Sequence, residues 1–298
     1  MGHTPRILLF GSSNTDLVIV CDRLPAPGET LLGGKFQRTA GGKGANQAVA
    51  AARAGARVVF VGARGEDDFG AVAAAGLRRE KIDLRHFKAH KDVSSGIALI
   101  LLGGKSRENL IAVARSANDL VSGETVRSVR SEFAKSDVVV TQLEIPLPAV
   151  KEAARLASEQ QIPFLLNPAP ARALPKSLLR LVHTLTPNEH EAAILTGESN
   201  PERAGEKLLK AGCRNVVITL GAKGALLVDG SGAHRFPAPK VKPVDTVGAG
   251  DCFTGWLATG IAESLTMGQA VERAVRAAGI AITRAGAQDA MPRREEVC

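Results

Sequence analysis

The sequence predicts an α/β protein of three layers, α/β/α, with a mostly parallel central sheet and a small β-sheet lid. Three observations carry that expectation. Short apolar runs at residues 7–10, 58–61, 138–141 and 164–167 alternate with helix-period stretches such as 69–79 and 270–285, the pattern of parallel strands joined by crossover helices. Ala and Gly are abundant, aromatics are scarce and Tyr is absent, which suits helices packed closely on a sheet through small residues. Residues 95–102 and 110–114 read as two strands about a turn at Gly103, Gly104 and Lys105, and this pair breaks the alternation. The 298 residues suit one large domain. Residues 1–298 are therefore read as a single α/β unit, its lid drawn from about 12–46 and 94–116.

Residues 7–10 form the first buried strand, ended by Gly11, Ser12 and Ser13. Asn14 and Asp16 follow at alternate positions, so in a strand both face one side. Such a pair can hold adjacent hydroxyls of a ligand, or it can make an Asx-turn; the residues alone fit both. After a turn cluster at 25–30 and a mixed, strand-like stretch at 31–40 comes Gly41, Gly42, Lys43 and Gly44, then a helix over 45–54 closed by Gly55. These glycines let the backbone approach a ligand, or act as a hinge. Strand 58–61, helix 69–79 and the hairpin at 95–114 follow. Ile97, Leu99 and Leu101 give that hairpin an apolar face needing cover, which suggests a homodimer formed lid to lid.

Strand 138–141 runs into Gln142, Leu143 and Glu144, where open α/β sheets bind ligands. Strand 164–167 leads to Pro168, Ala169, Pro170 and Ala171. Another strand ends at Leu185, and Asn188 and Glu191 then fit a helix N-terminus. Strands 216–220 and 225–228 flank a loop of Gly221, Ala222, Lys223 and Gly224.

The stretch around which the chain is organised lies at 244–255. An extended, Pro-punctuated run enters it and a helix leaves it, with Phe253, Trp256, Leu257, Ile261 and Leu265 on one side. Gly248, Ala249 and Gly250 can expose backbone N–H groups at the helix mouth, an anion site by geometry and dipole. Asp251 occupies the first turn. One reading is a tight turn with an acidic cap. The other is a phosphate cradle beside a carboxylate that takes a proton from an attacking hydroxyl. Two rival phosphate motifs fail: a G-x-G-x-x-G fingerprint from Gly248 would need Gly where Phe253 stands, and a Walker loop ending at Gly104, Lys105 and Ser106 would need Gly where Leu99 stands.

The net charge of +8 admits acidic small molecules or nucleic acid as partners. The basic residues are scattered and do not interleave with aromatics, which argues against nucleic-acid binding. Cys21, Cys213, Cys252 and Cys298 form no close pair, against zinc or a disulfide framework and in keeping with a reducing cytoplasm. Cys252 is expected simply to pack. No apolar run approaches the roughly 18 residues of a membrane span, and 7–10 is too short for a signal-peptide core.

Residues 245–251, Asp-Thr-Val-Gly-Ala-Gly-Asp, resemble one signature of the ribokinase-type carbohydrate kinases, the PfkB family. Residues 41–48, Gly-Gly-Lys-Gly-Ala-Asn-Gln-Ala, resemble the other. Two signatures in the right order, near opposite ends of the chain, are far more specific than either one. The resemblance implies transfer of the ATP γ-phosphoryl to the primary hydroxyl of a pentose, ribose first, with Asp251 as the base and Gly248, Ala249 and Gly250 as the charge-stabilising cradle. It implies that Asn14, Asp16, Gly42, Lys43, Asn46 and Glu144 hold the sugar. It places Asn188 and Glu191 near magnesium and the phosphates, and Thr219, Gly221, Lys223, Gly224 and Gly250 along ATP. A potassium site is implied at Asp245, Val247, Ala281, Arg284, Gly286 and Ala290; the family often has a hydroxyl residue where Ala290 stands, so one side-chain ligand is missing. Other members of the family act on deoxyribose, fructose or nucleosides, and a nucleoside kinase would want an aromatic clamp that the lid offers only in Phe36. A non-catalytic sugar sensor would have no need of Asp251, and a nicotinamide oxidoreductase lacks its fingerprint.

Overall fold

A computed structural model describes residues 3–104 and 108–298. In chain order the elements are β1 (Arg6–Phe10), β2 (Asn14–Cys21), β3 (Lys35–Gly41), α1 (Lys43–Arg53), β4 (Arg57–Gly65), α2 (Asp68–Arg79), β5 (Asp83–His90), β6 (Gly96–Gly103), β7 (Glu108–Ala114), α3 (Gly123–Ser128), α4 (Arg130–Phe133), β8 (Val138–Thr141), α5 (Leu147–Glu159), β9 (Phe164–Leu166), α6 (Lys176–Leu179), β10 (Thr184–Leu185), α7 (Glu189–Thr196), α8 (Pro201–Ala211), β11 (Asn215–Thr219), β12 (Ala225–Asp229), β13 (Gly232–Phe236), α9 (Ala249–Ala262), α10 (Met267–Ala281) and α11 (Arg294–Val297).

Among the described residues nine strands make the main sheet, in the order β13-β12-β11-β10-β9-β8-β1-β4-β5. From β11 to β5 the neighbours are parallel, and β12 and β13 close one edge antiparallel. Strand alternation sends successive side chains to opposite faces. Ile7 and Leu9 of β1 join a core with α1, α9 and α10 that includes the fully buried Trp256. Leu8 and Phe10 join a second core, with Phe133 and the apolar side of α5. These two cores make the three layers. Burial on both faces explains why the central strands read as unbroken apolar runs.

The chain passes from β1 to β4 on one side and to β8 on the other. That switch opens a crevice at the carboxyl ends of the strands. Ser12 follows β1 there, Gln142 and Glu144 follow β8, Asn167 follows β9 and Asn188 follows β10.

A second sheet has four strands, ordered β3-β2-β6-β7. Its register pairs Asp16 with Ala98 and Ala98 with Val113, so these three share one face. Leu17, Leu99 and Ala112 share the opposite face by the same register. On that outer face Leu99 is 56% exposed, with Leu110 and Phe36 also open to solvent.

Several elements depart from the sequence reading. The helix expected over 45–54 begins at Lys43, because Gly42 turns into it at φ 86. The helix expected over 270–285 spans Met267–Ala281. The strand expected within 31–40 begins at Lys35, after Gly33 and Gly34 take φ of 104 and 100. Strands β5 and β13 were not expected at all. Helix α9 is buried nearly all round rather than on one side, since α1 packs on it as well as α10. The turn expected at Gly103, Gly104 and Lys105 lies partly outside the described residues, as does the Gly104-Lys105-Ser106 comparison.

Candidate active site

Two helix mouths meet in the crevice. Helix α1 opens at Gly42, and α9 opens at Gly248, which takes φ 76. At Gly42 a Cβ would stand 2.6 Å from the Asn14 nitrogen, so the turn admits only glycine. The helices cross closely: a Cβ on Gly255 would lie 2.5 Å from the Ala50 Cβ and 2.6 Å from the Gln47 carbonyl oxygen. This crossing carries the first turn of α1 up against Asp251.

Asp251 is 6% exposed and both its oxygens are held. Gln47 Nε2 donates to Oδ1 at 3.0 Å, and Asn46 Nδ2 donates to Oδ2 at 3.0 Å. Gln47 Nε2 also donates to Asn167 Oδ1 at 3.1 Å, and Asn167 Nδ2 donates to the Thr186 carbonyl at 2.7 Å. Gln142 Nε2 donates to Gln47 Oε1 at 2.7 Å. A carbonyl can only accept, so the Thr186 contact fixes the direction of every amide in the chain back to Asp251. Gln288 Nε2 donates to Asn46 Oδ1 at 3.1 Å. Asp251 thus receives one amide donor on each oxygen.

Glu144 faces the mouth of α1. Its Oε2 accepts from the Ser12 hydroxyl at 2.5 Å and from the Lys43 N–H at 2.9 Å, satisfying one of the helix's orphan donors. Lys43 itself carries a pKa raised chiefly by Asp251, against the pull of burial, with Glu144 and Glu191 adding to it. Asp16 lies against Gly41, where a Cβ would stand 2.3 Å from its carboxylate oxygens. Burial, then Glu144, then Asp251 push the Asp16 carboxyl up to about 6. Asn188 and Glu191 form a reciprocal cap on α7: Glu191 N–H donates to Asn188 Oδ1 at 2.7 Å, and Asn188 N–H donates to Glu191 Oε2 at 2.9 Å. Burial pushes Glu191 up, opposed by the Asn188 N–H and the charge of Lys43.

A cavity of about 1160 Å³ opens beside these groups, ample for a nucleotide. Lys43, Asn188, Glu191, Thr219, Gly221, Gly224 and the segment from Gly248 to Asp251 line it, with Val275, Gly279 and Ile282 of the α10 end supplying an apolar wall. Lys223 is exposed and does not line it. The Ala249 N–H turns to the Thr246 carbonyl at 3.3 Å, so in this state Ala249 is not a free donor of the cradle. Asn14, Asp16, Asn46 and Glu144 do not line this cavity; Asn46 bonds Asp251, Glu144 bonds the Lys43 N–H, and Asp16 feels the charge of both carboxylates. Cys252 is fully buried, and burial raises its thiol pKa, so it packs as expected.

Asp245 ties two loops. Its Oδ1 accepts from the Val247 N–H at 3.0 Å and its Oδ2 from the Gly286 N–H at 3.1 Å. Ala281 and Ala290 are buried, Val247 is exposed, and Arg284 pairs with Glu296.

Ser12, Gln47, Gln142, Asn167 and Gln288 were not singled out as site residues by sequence reasoning. Gln47 lies inside the 41–48 signature, and Asn167 opens the Asn-Pro-Ala-Pro-Ala run, so a signal existed for both. Gln142 had only its place at the end of a strand, beside Glu144, and Gln288 had none.

The fold and this arrangement of carboxylates around two helix mouths define a phosphotransferase class, and the comparisons agree. Residues 4–294 match the pfkB family carbohydrate kinase model, and the chain belongs to that family. Particular relatives are ribokinases. The Haemophilus influenzae ribokinase is 39% identical over 97% of this chain and 96% of its own, and the Bacillus subtilis ribokinase is 39% identical over 98% and 97%. The solved Arabidopsis thaliana ribokinase, complexed with ribose and ATP, superposes with a TM-score of 0.92 at 30% identity, over 100% of this chain and 98% of that one.

Proposed function

We infer that this chain transfers the γ-phosphoryl of ATP to the primary hydroxyl of D-ribose, giving D-ribose 5-phosphate. Full-length likeness to ribokinases supports the sugar and the nucleotide. The observation that carries the mechanism is the buried Asp251 carboxylate, set in the first turn of α9, lining the cavity and close enough to Asp16 to raise its pKa. Asn14, Asp16, Gly42, Lys43, Asn46 and Glu144 hold ribose in this proposal. Asp251 takes the proton as the hydroxyl oxygen bonds to the γ-phosphorus and the bond from that phosphorus to the β–γ bridging oxygen breaks. The transition state is loose, so positioning and charge stabilisation do most of the work. The N–H groups of Gly250 and Asp251 at the α9 mouth and the Lys43 ammonium face the charge that develops on the transferred group. Asn188, Glu191, Thr219, Gly221, Gly224 and Gly250 line the nucleotide side.

Among the described residues no cluster of three or more His, Cys, Asp or Glu is built to hold a metal by itself. Magnesium would arrive with the nucleotide, and Glu191 and Asn188 are the oxygen-bearing side chains that would hold it from the protein side, in keeping with a hard cation. When bound it neutralises phosphate charge. Asp245 and the carbonyls of the loops it ties suit a monovalent cation, potassium, with Ala290 contributing no oxygen. The small sheet acts as a lid that excludes water, and its exposed outer face around Leu99 supports a homodimer. No helix among the described residues is long and apolar enough to cross a membrane, and the cysteines are free, in keeping with a cytoplasmic enzyme.

The test is an ADP-release assay on ribose, deoxyribose, fructose and adenosine, with and without potassium. Ribose should give the highest kcat/KM and a product phosphorylated on the primary hydroxyl. Preference for another acceptor would overturn the ribose reading.

A further inference from the structure

Three chain segments that join the small sheet to the body meet at one buried amide. β2 starts at Asn14 and β6 starts at Gly96, and these two are register partners. The chain leaving β7 returns through a single 3-10 turn, Ser116–Leu120, that carries Asn118. Asn118 is 1% exposed. Its Oδ1 accepts from the Ser13 N–H at 3.0 Å, and its Nδ2 donates to Asn14 Oδ1 at 2.8 Å and, more weakly, to the Ser13 carbonyl at 3.4 Å. Space for the pair is made by Gly96, where a Cβ would stand 2.2 Å from Asn14 Oδ1 and 2.3 Å from Asn118 Nδ2.

The direction of this contact is not free. A backbone N–H can only donate and a backbone carbonyl can only accept, so Ser13 allows the Asn118 amide one orientation. Asn118 therefore offers Asn14 a donor, and Asn14 must answer with Oδ1. That leaves Asn14 Nδ2 as the end turned away from Asn118. Asn14 and Asp16 share one face of β2, the face on which Asp16 feels Glu144 and Asp251.

We propose that Asn118 is a positioning residue that locks Asn14 as a hydrogen-bond donor to a sugar hydroxyl oxygen. This rests on the ribose reading above. Asn14 then gives a donor beside Asp16, which gives only acceptors when ionised. The two together read the donor and acceptor sides of neighbouring hydroxyls. A residue that merely filled space at Asn118 would not set that direction.

Asn118→Asp tests the proposal. It is nearly isosteric and keeps an acceptor for Ser13, but it places an oxygen against Asn14 Oδ1 and drives the Asn14 amide to turn over. The ribose KM should rise about 10–100-fold, the scale of one buried hydrogen bond inverted. The ATP KM and kcat at saturating ribose should stay within about twofold, a split that general damage to the fold would not give. In an Asn14→Ala background the same change should have almost no further effect, because the orientation it disturbs is gone. Asn118→Ser, which removes the amide without adding charge, should raise the ribose KM by a smaller factor and covers the case in which the aspartate variant does not fold. An unchanged ribose KM in either folded variant, or an equal rise with and without Asn14, would overturn the proposal. Wild-type turnover on ribose in the same assay tests the underlying reading separately.

Discussion

Gln47 Nε2 lies 3.0 Å from Asp251 Oδ1 and 3.1 Å from Asn167 Oδ1, so the whole amide nitrogen of one fully buried glutamine is committed to the proposed base and its neighbour. Because the Thr186 carbonyl fixes the direction of the chain, this glutamine cannot turn. It holds one oxygen of the carboxylate in place. Asn46, whose own orientation depends on Gln288, holds the other.

Replacing Gln47 with Leu should therefore lower kcat by about 10–100-fold while leaving the ATP KM nearly unchanged, since the residue does not line the nucleotide cavity. It should also cost about 1–3 kcal/mol of stability, because Gln142 and Asn167 lose a buried partner. Steady-state kinetics with a denaturation curve checks both. A wild-type kcat in the folded variant would remove Gln47 from the positioning role.

Gly255 sets how closely α9 approaches α1. Gly255→Val would drive a side chain into Ala50 and the Gln47 carbonyl, both within 2.6 Å of the Cβ position. Overpacking of this kind costs about 1–3 kcal/mol, and here it also pries Gln47 from Asp251. The expected result is a lower melting temperature and a fall in kcat larger than in the ribose KM.

Asp16 is a conflict between stability and binding. Its folded carboxyl is pushed up to about 6, by burial first and then by Glu144 and Asp251. A raised carboxyl favours the neutral form in the fold. Its contribution to stability is full below the ordinary value of 3.8 and is lost as pH rises through about 6. Asp16→Asn, neutral throughout, should stabilise the ligand-free protein at pH 8, by about 3 kcal/mol at most. That advantage should vanish near pH 4. Ribose binding should be lost in the same variant. In the wild type the ribose KM should climb as pH falls below 6, as the acceptor becomes protonated. Thermal melts and KM measured across pH 5–8 decide this, and a melting advantage independent of pH would contradict it.

The potassium proposal turns on Ala290, which is 1% exposed and carries no oxygen. Ala290→Ser should lower the potassium concentration needed for half-activation about threefold or more. Activity indifferent to potassium in both forms would remove the site.

Much of the fold was legible because β1, β8 and β9 are buried on both faces and read as unbroken apolar runs. β5 was not: in Asp83–His90 only Phe87 is buried, and three charged residues and two histidines break up the apolar signal of an edge strand. β13 is an exposed edge with no apolar signal of its own. At the site, the glycine turns and the acids stood out because turns and helix mouths demand those residue types. Gln47, Gln142, Asn167 and Gln288 did not. Gln47 and Gln142 meet across 95 positions of chain and Gln47 and Asp251 across 204, and a polar residue within a helix reads as a surface residue until its partner is placed. Lys223 stands in a loop whose Gly221, Ala222 and Gly224 line the cavity, but is not itself part of that lining.

The central claim is that Asp251, gripped at the mouth of α9, takes the proton from the sugar. Asp251→Asn keeps the shape and both helix mouths but cannot accept that proton. Turnover of ribose should fall by about 10²–10⁴-fold, the usual loss on removing a general base, while ATP or ADP still binds by calorimetry within a few-fold of the wild type. Near-normal turnover in that variant would contradict the account.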